Sequence, residues 1–340
     1  MLSVRTLSVL AIGLLAVAAN AQVTVGPGTA TFVDISTTGT AITGAGDDSA
    51  HGFTSTVGNV LFPAGSVVVT SNGTLISGAT PGSSIYFNSP ITPTSDGTQF
   101  GYGAANPVIC PFWDDLYASG NPGGTLYWQE ISGVLYVQWQ NIGHYPTAAG
   151  PGITFQVQIV NGPPCALGTI NMVYPDATFG GAQAANDTGA SATVGYVAGG
   201  GANAQYSFDT PGSIPDGTSL VVSGYGPFTL TFSSPNGPGS IQVNICGGSP
   251  NGAYQIFASL VAGAFPNGWL HGLDISFQDV QNQINAAPFF GGLDSNGAAQ
   301  IGPTGAGSLP SGLTIYSLVF NIPPSSIPTI HTAVQAYTIP

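Results

Sequence analysis

Between Pro107 and Tyr145, apolar and polar residues alternate more regularly than elsewhere in the chain. Leu135, Val137 and Trp139 interleave with Tyr136, Gln138 and Gln140, the two-residue period of a strand with one face buried and the other wet. Thr125 to Gln129 is expected as its antiparallel partner, because Ser132-Gly133 supplies the small residues a tight hairpin turn needs. The same period recurs downstream. Ile153, Phe155, Val157 and Ile159 share one face with Thr154, Gln156 and Gln158 on the other, and Ile170, Met172 and Tyr174 point inward in the next run.

The pattern predicts further short strands along the chain. TATFVDISTTGTAIT reads as a first strand running into a turn, and GAGDDSAHG as a loop. Val67 to Thr70 and Thr74 to Ile76 form a hairpin through Asn72-Gly73. Ile85 to Phe87, Ala192 to Tyr196 and Gln205 to Phe208 complete a first set, and composition then changes at Ser223-Gly224-Tyr225-Gly226-Pro227. Beyond that linker Phe228 to Phe232, Ile241 to Ile245, Tyr254 to Ser259, Leu313 to Phe320 and Ile330 to Tyr337 read as strands. One helix is expected in SFQDVQNQINAAP, with Phe277, Val280 and Ile284 on one side, Ser276 and Asp279 capping it, and Pro288 barring its continuation. Such a helix plugs one open end of a β domain. Short strands separated by turn residues predict an all-β chain of two antiparallel β-sandwich domains, about 22 to 225 and 226 to 340.

The first 21 residues have a different design. Arg5 precedes an apolar run from Leu7 to Ala18, and Ala19-Asn20-Ala21 precedes Gln22, the layout of a secretory signal peptide cleaved near Ala21-Gln22. Cleavage would remove the chain's only Lys or Arg and take the formal charge from -13 to -14. A mature chain without basic side chains other than four His is unsuited to nucleic acid or to anionic membrane surfaces, both of which are met by Lys and Arg. Charged residues make up 4% of the chain while 43% is apolar, so there is enough apolar surface for a core and the chain is not a disordered polyanion.

In order, DISTTGTAIT, SNGTLISG, PFWDDLY, LYWQ, VLYVQWQNIGHY, ITFQVQIV, GTINMVYPD and GASATVGYV run from Asp34 to about Phe208. This series resembles the nidogen-like β-sandwich module of secreted and surface proteins, many of them bacterial. The tail, through GWLHGLDIS and GGLDSNGAA, is similar to a C-terminal β-sandwich appended to secreted bacterial proteins. The resemblance implies an extracellular, non-enzymatic module. Acting at a cell surface or in a matrix, it would meet an extracellular protein or glycan through its loops, or sister copies through strand edges that no Lys guards.

Candidate chemistry is acidic. Asp114 and Asp115 are consecutive and point to opposite faces of a strand, so they need a third carboxylate for acid–base work. Glu130, the only Glu, supplies one in a secreted-hydrolase alternative. Asp47, Asp48, Ser49 and His51 hold the ingredients of a triad, but within five residues, where real triads draw on separate elements. Structural calcium suits loop oxygens better, and Asp47, Asp48, Asn186, Asp187, Asp294 and Asn296 are its candidate ligands. No other cofactor is expected. Four scattered His lack metal-site spacing, so a transition-metal site would have to be assembled from distant strands. Trp128 is the candidate for sugar stacking in a carbohydrate-binding alternative, since Trp139 falls in phase with the core. Of three Cys, Cys110 reads as a buried thiol, and Cys165 and Cys246 are able to pair; the sequence leaves that pairing open.

Overall fold

The computed structural model describes residues 23–82, 88–119, 121–146, 150–162, 165, 167–199, 203–224, 228–260, 270–324, 328 and 330–340. The leader at 1–21 and the expected strand Ile85 to Phe87 lie outside these residues. In chain order the strands of the first part are β1 (Val23–Pro27), β2 (Thr40–Ile42), β3 (Ala50–Ser55), β4 (Gly65–Thr70), β5 (Leu75–Ser77), β6 (Val108–Trp113), β7 (Leu116–Tyr117), β8 (Thr125–Ile131), β9 (Val134–His144), β10 (Ile153–Val160), β11 (Gly168–Asp176), β12 (Thr193–Val197), β13 (Ala204–Phe208) and β14 (Thr218–Gly224). The second part adds β15 (Thr229–Ser233), β16 (Gln242–Cys246), β17 (Ala253–Ser259), helix α1 (Phe277–Gln283), β18 (Phe290–Gly292), β19 (Ala299–Ile301), β20 (Thr314–Ile322), β21 (Ile330–His331) and β22 (Gln335–Thr338).

Two antiparallel sheets make the first part, in the orders β1-β14-β11-β10-β9-β8-β2 and β13-β12-β6-β5-β4-β3. Between them Trp139, Phe155, Tyr174, Phe112 and Tyr196 are almost wholly buried. The central hairpin turns as expected, with Ser132 at φ 50° and Gly133 at φ 78° joining Ile131 to Val134. Tyr174 and Tyr196 carry their hydroxyls into this core and donate them to the Pro111 and Leu61 carbonyls, which offsets the cost of burying them.

Two expectations for this part need correction. The run from Thr29 is not a first strand. That place belongs to β1, which pairs with an unforeseen β14, and only Thr40–Ile42 of the run is extended into a sheet. The polar face of the largest sheet is not wet either, because Gln138 and Gln156 are fully buried and Gln158 nearly so. Residues 31–35 lie across that face as a strap. Gln156 accepts from Val33 N and donates to Val33 O, Gln138 accepts from Ile35 N and donates to Asp34, and Gln158 donates to Thr31 O. Glutamine side chains thus satisfy backbone groups that a neighbouring strand would otherwise pair.

The second part packs a three-stranded sheet, β15-β16-β19, on a five-stranded one, β18-β17-β20-β21 with β22 beside β20. Leu230 and Ile245 meet Tyr254, Ile256 and Val319 between them. The helix forms where expected, with Ser276 capping the Asp279 amide. It covers the other face of the five-stranded sheet through Val280 and does not plug an end. Phe277 and Ile284 are 67% and 47% exposed, so its apolar stripe is only one residue deep. The expected strand Ile330 to Tyr337 splits into β21 and β22, both against β20. No helix among the described residues is long and apolar enough to cross a membrane.

Each sheet draws its strands from one part alone. A disulfide between Cys165, in the β10–β11 connection, and Cys246, at the end of β16, joins the two parts. Cys110 remains a fully buried thiol, and burial pushes its pKa well above the ordinary value.

Candidate functional site

The strand registers give the first sandwich two unlike ends. The β8–β9 turn, Asn161, Cys165 and the end of β14 lie together at one of them, since Asn161 N donates to Gly133 O and Gly168 pairs with Gly224. That end faces the second part. At the other, β6 ends at Trp113 and the chain turns through Asp114 and Asp115. The turn is held by the β4–β5 connection. Asp114 N donates to Asn72 O, Leu116 N donates to Asn72 Oδ1, and Asn72 Nδ2 donates to Asp48 Oδ1 at 2.9 Å. Gly73 is required beside it, because it sits at φ 75° and a Cβ there would lie 1.9 Å from Phe112 O.

This bridging through Asn72 brings the loop carrying Asp47 and Asp48 against Asp115, and one carboxylate oxygen of each lies within 4.8 Å of the others. Partial burial pushes the Asp115 carboxyl to about 6; the His144 imidazole opposes the rise, and the charges of Asp47, Asp48 and Asp114 add to it. Asp47 is raised by burial and then by Asp48. Behind them Asp114, 3% exposed, accepts from the Asp115 amide and from Ser191 Oγ and lies 3.4 Å from His144 Nε2. Burial alone would depress His144, but Asp114, the Tyr145 carbonyl and Asp115 outweigh it and leave its pKa raised. Three carboxylates that repel one another at a solvent-accessible rim form a donor set suited to a hard cation, with water and loop carbonyls completing six to eight oxygens.

The same end gathers more acid. Asp176 ends β11 opposite Thr154, Asp216 accepts from Ala177 N, Asp187 accepts from Phe179 N and Gly180 N, and Asp209 follows β13 and meets Asn88. With Asp47, Asp48, Asp114 and Asp115, eight of the chain's fourteen acidic residues therefore stand at the end remote from the disulfide.

The remaining candidates are not brought together with this cluster. Asp187 organises its own loop, and Asn186 donates to Gln183. Asp294 closes a turn in the second part by accepting from Asn296 N and Ala298 N. Glu130 pairs across the sheet with Leu135, nine residues along β9 from His144, or about 30 Å from Asp114 and Asp115. Its carboxylate holds the chain after β3, accepting from Ser55 Oγ, Thr56 N and Thr56 Oγ1 at 2.6–2.7 Å. The acid pair required by the hydrolase alternative is thus not assembled. Ser49 spends its hydroxyl on Gly46 and makes no bond to His51. Half-buried Trp128 stacks on Phe53 with centroids 4.5 Å apart and planes at 11°, so one ring face is already covered. Trp139 is core, its indole donating to Thr70 O.

The convergence of Asp115 on Asp47-Asp48 carries no local sequence signal, because it depends on two turns meeting through Asn72. Residues 23–222, more than half of the chain, match the family model described as NIDO related. No curated protein and no solved structure matches the chain.

Proposed function

Since the chain belongs to the nidogen-related family, whose modules are extracellular, we propose that it is an exported, non-enzymatic contact module that meets an extracellular protein or glycan at the acidic end of its first sandwich. The observation that carries this reading is the asymmetry of charge. Eight acids stand at the end that the second part leaves free, no Lys or Arg occurs after Arg5 to neutralise them, and His144 answers only Asp114 and Asp115. Such a concentration of one sign draws cationic partners and cations over a range set by ionic strength. Calcium among Asp47, Asp48 and Asp115 would relieve their repulsion and offer open coordination positions to a partner's oxygens. Affinity at such an extracellular site falls in the range of about 0.1–1 mM.

The test is an array of extracellular-matrix proteins and glycans probed with the mature chain in millimolar calcium, and again in EDTA. Bound spots that fade in EDTA and in high salt support the reading. Spots indifferent to both, or a chain that binds nothing and instead cleaves array glycans, would overturn it. Export is tested separately by the N-terminus of the secreted chain, expected at Gln22.

A further inference from the structure

In the second part, two histidines sixty positions apart in sequence meet at the surface. His271 is exposed at the tip of a tight turn in which Leu273 N donates to Leu270 O. The turn is fixed from below, because Leu273 is fully buried and Leu270 packs with it against Phe257, Leu318 and Phe320. His271 itself has φ 50° and is followed by Gly272 at φ 91°, which aims the tip back over the sheet. His331 is half-buried on β21, directly across from Phe320 of β20. Both imidazoles lean on that phenyl ring, with centroids 5.3 and 5.4 Å from it, and on each other at 4.1 Å with planes at 46°.

The ring of His331 is also set in one tautomer. Its Nδ1 lies 2.9 Å from the Thr332 carbonyl, and a carbonyl only accepts, so the proton is on Nδ1 and Nε2 keeps a lone pair. A backbone carbonyl fixing the far nitrogen in this way is the usual support of a metal-binding histidine. The two ring centroids are 4.1 Å apart with planes inclined at 46°, so a small opening of the pair brings one nitrogen of each ring to the bond length of about 2.0–2.1 Å from a shared zinc ion. Imidazole is a borderline donor that favours zinc, nickel or copper over calcium, and no lysine or arginine follows Arg5 to compete for the space with a positive charge. We propose that His271 and His331 form a surface site for a transition-metal dication of the zinc class, with water completing the coordination. The site is separate from the acidic end, and neither depends on the other.

Isothermal titration of the mature full-length chain with zinc chloride at pH 7.5 tests this, with calcium present to occupy carboxylate sites. One zinc per chain is expected. His271→Gln and His331→Gln should each weaken it by about tenfold or more, as expected for loss of one of two protein ligands. His51→Gln and the triple variant Asp47→Asn, Asp48→Asn, Asp115→Asn should leave it unchanged, and near-UV circular dichroism of each variant checks the fold. Zinc binding that survives the double variant His271→Gln, His331→Gln, or that disappears in the triple aspartate variant, would overturn the proposal, as would absence of zinc binding by the native chain.

Discussion

Replacing Asp115 by Asn tests the electrostatics of the acidic end without disturbing its shape. The amide is isosteric, and the Asp115 backbone bonds to Asp114 and from Tyr145 persist. In the folded chain the carboxyl is pushed from 3.8 to about 6. The folded state therefore holds that proton more tightly than the unfolded chain. Stability is lost as pH rises from about 4 through about 6, and the whole penalty is present above that. Two pKa units correspond to about 3 kcal/mol for a fully buried group; screening at this half-exposed rim reduces it to about 1 kcal/mol. In EDTA at pH 7.5 the variant should melt higher than the native chain by about 2–4 °C, the shift expected for a unit of this size. At pH 4 the two should coincide. Added calcium should raise the native melting point and move the variant less, because one of the three carboxylates is gone. A variant that melts at or below the native chain at pH 7.5, or gains as much from calcium, would refute the reasoning.

Other consequences follow from single contacts. Gln156→Ala removes a buried amide that pairs both Val33 N and Val33 O, so it should cost about 2–3 kcal/mol and bring early hydrogen exchange at Val33 and Ile35 before global unfolding. Glu130→Ala strips three short bonds from Ser55 and Thr56 and should lower stability by about 1–2 kcal/mol, with proteolytic nicking after β3; any effect on binding at the acidic end, about 30 Å away, would contradict the placement. Reducing Cys165–Cys246, which spans 81 positions, should cost up to about 4 kcal/mol, seen as the two parts melting separately where the oxidised chain melts in one step.

Much of the fold was legible because its signals are local. Ser132-Gly133 announces a turn needing positive φ, the Ile153 to Ile159 face carries its own period, and Ser276 with Asp279 marks a helix start. What escaped depends on partners far away in sequence. Nothing in Gln138, Gln156 or Gln158 says that a strap will cover them, since glutamine suits a wet face equally well. The edge strand β1 and its neighbour β14 stabilise each other across the whole first part, and neither stands out alone. Phe277 and Ile284 have helical spacing, yet a seven-residue helix lying on a sheet buries only Val280. At the acidic end Asp47 and Asp48 stand out as candidate ligands by their loop alone, whereas Asp115 joins them only because Asn72 bonds both loops. His271 and His331 lacked any spacing signal for the same reason.

The most direct test of a contact module acting through its acidic end is to tether the mature chain by its C terminus and measure, by interferometry in millimolar calcium, binding of whatever the array retains. The native chain should bind in this orientation, and the triple variant Asp47→Asn, Asp48→Asn, Asp115→Asn should lose that binding while keeping its fold. Undiminished binding by the triple variant would contradict the account.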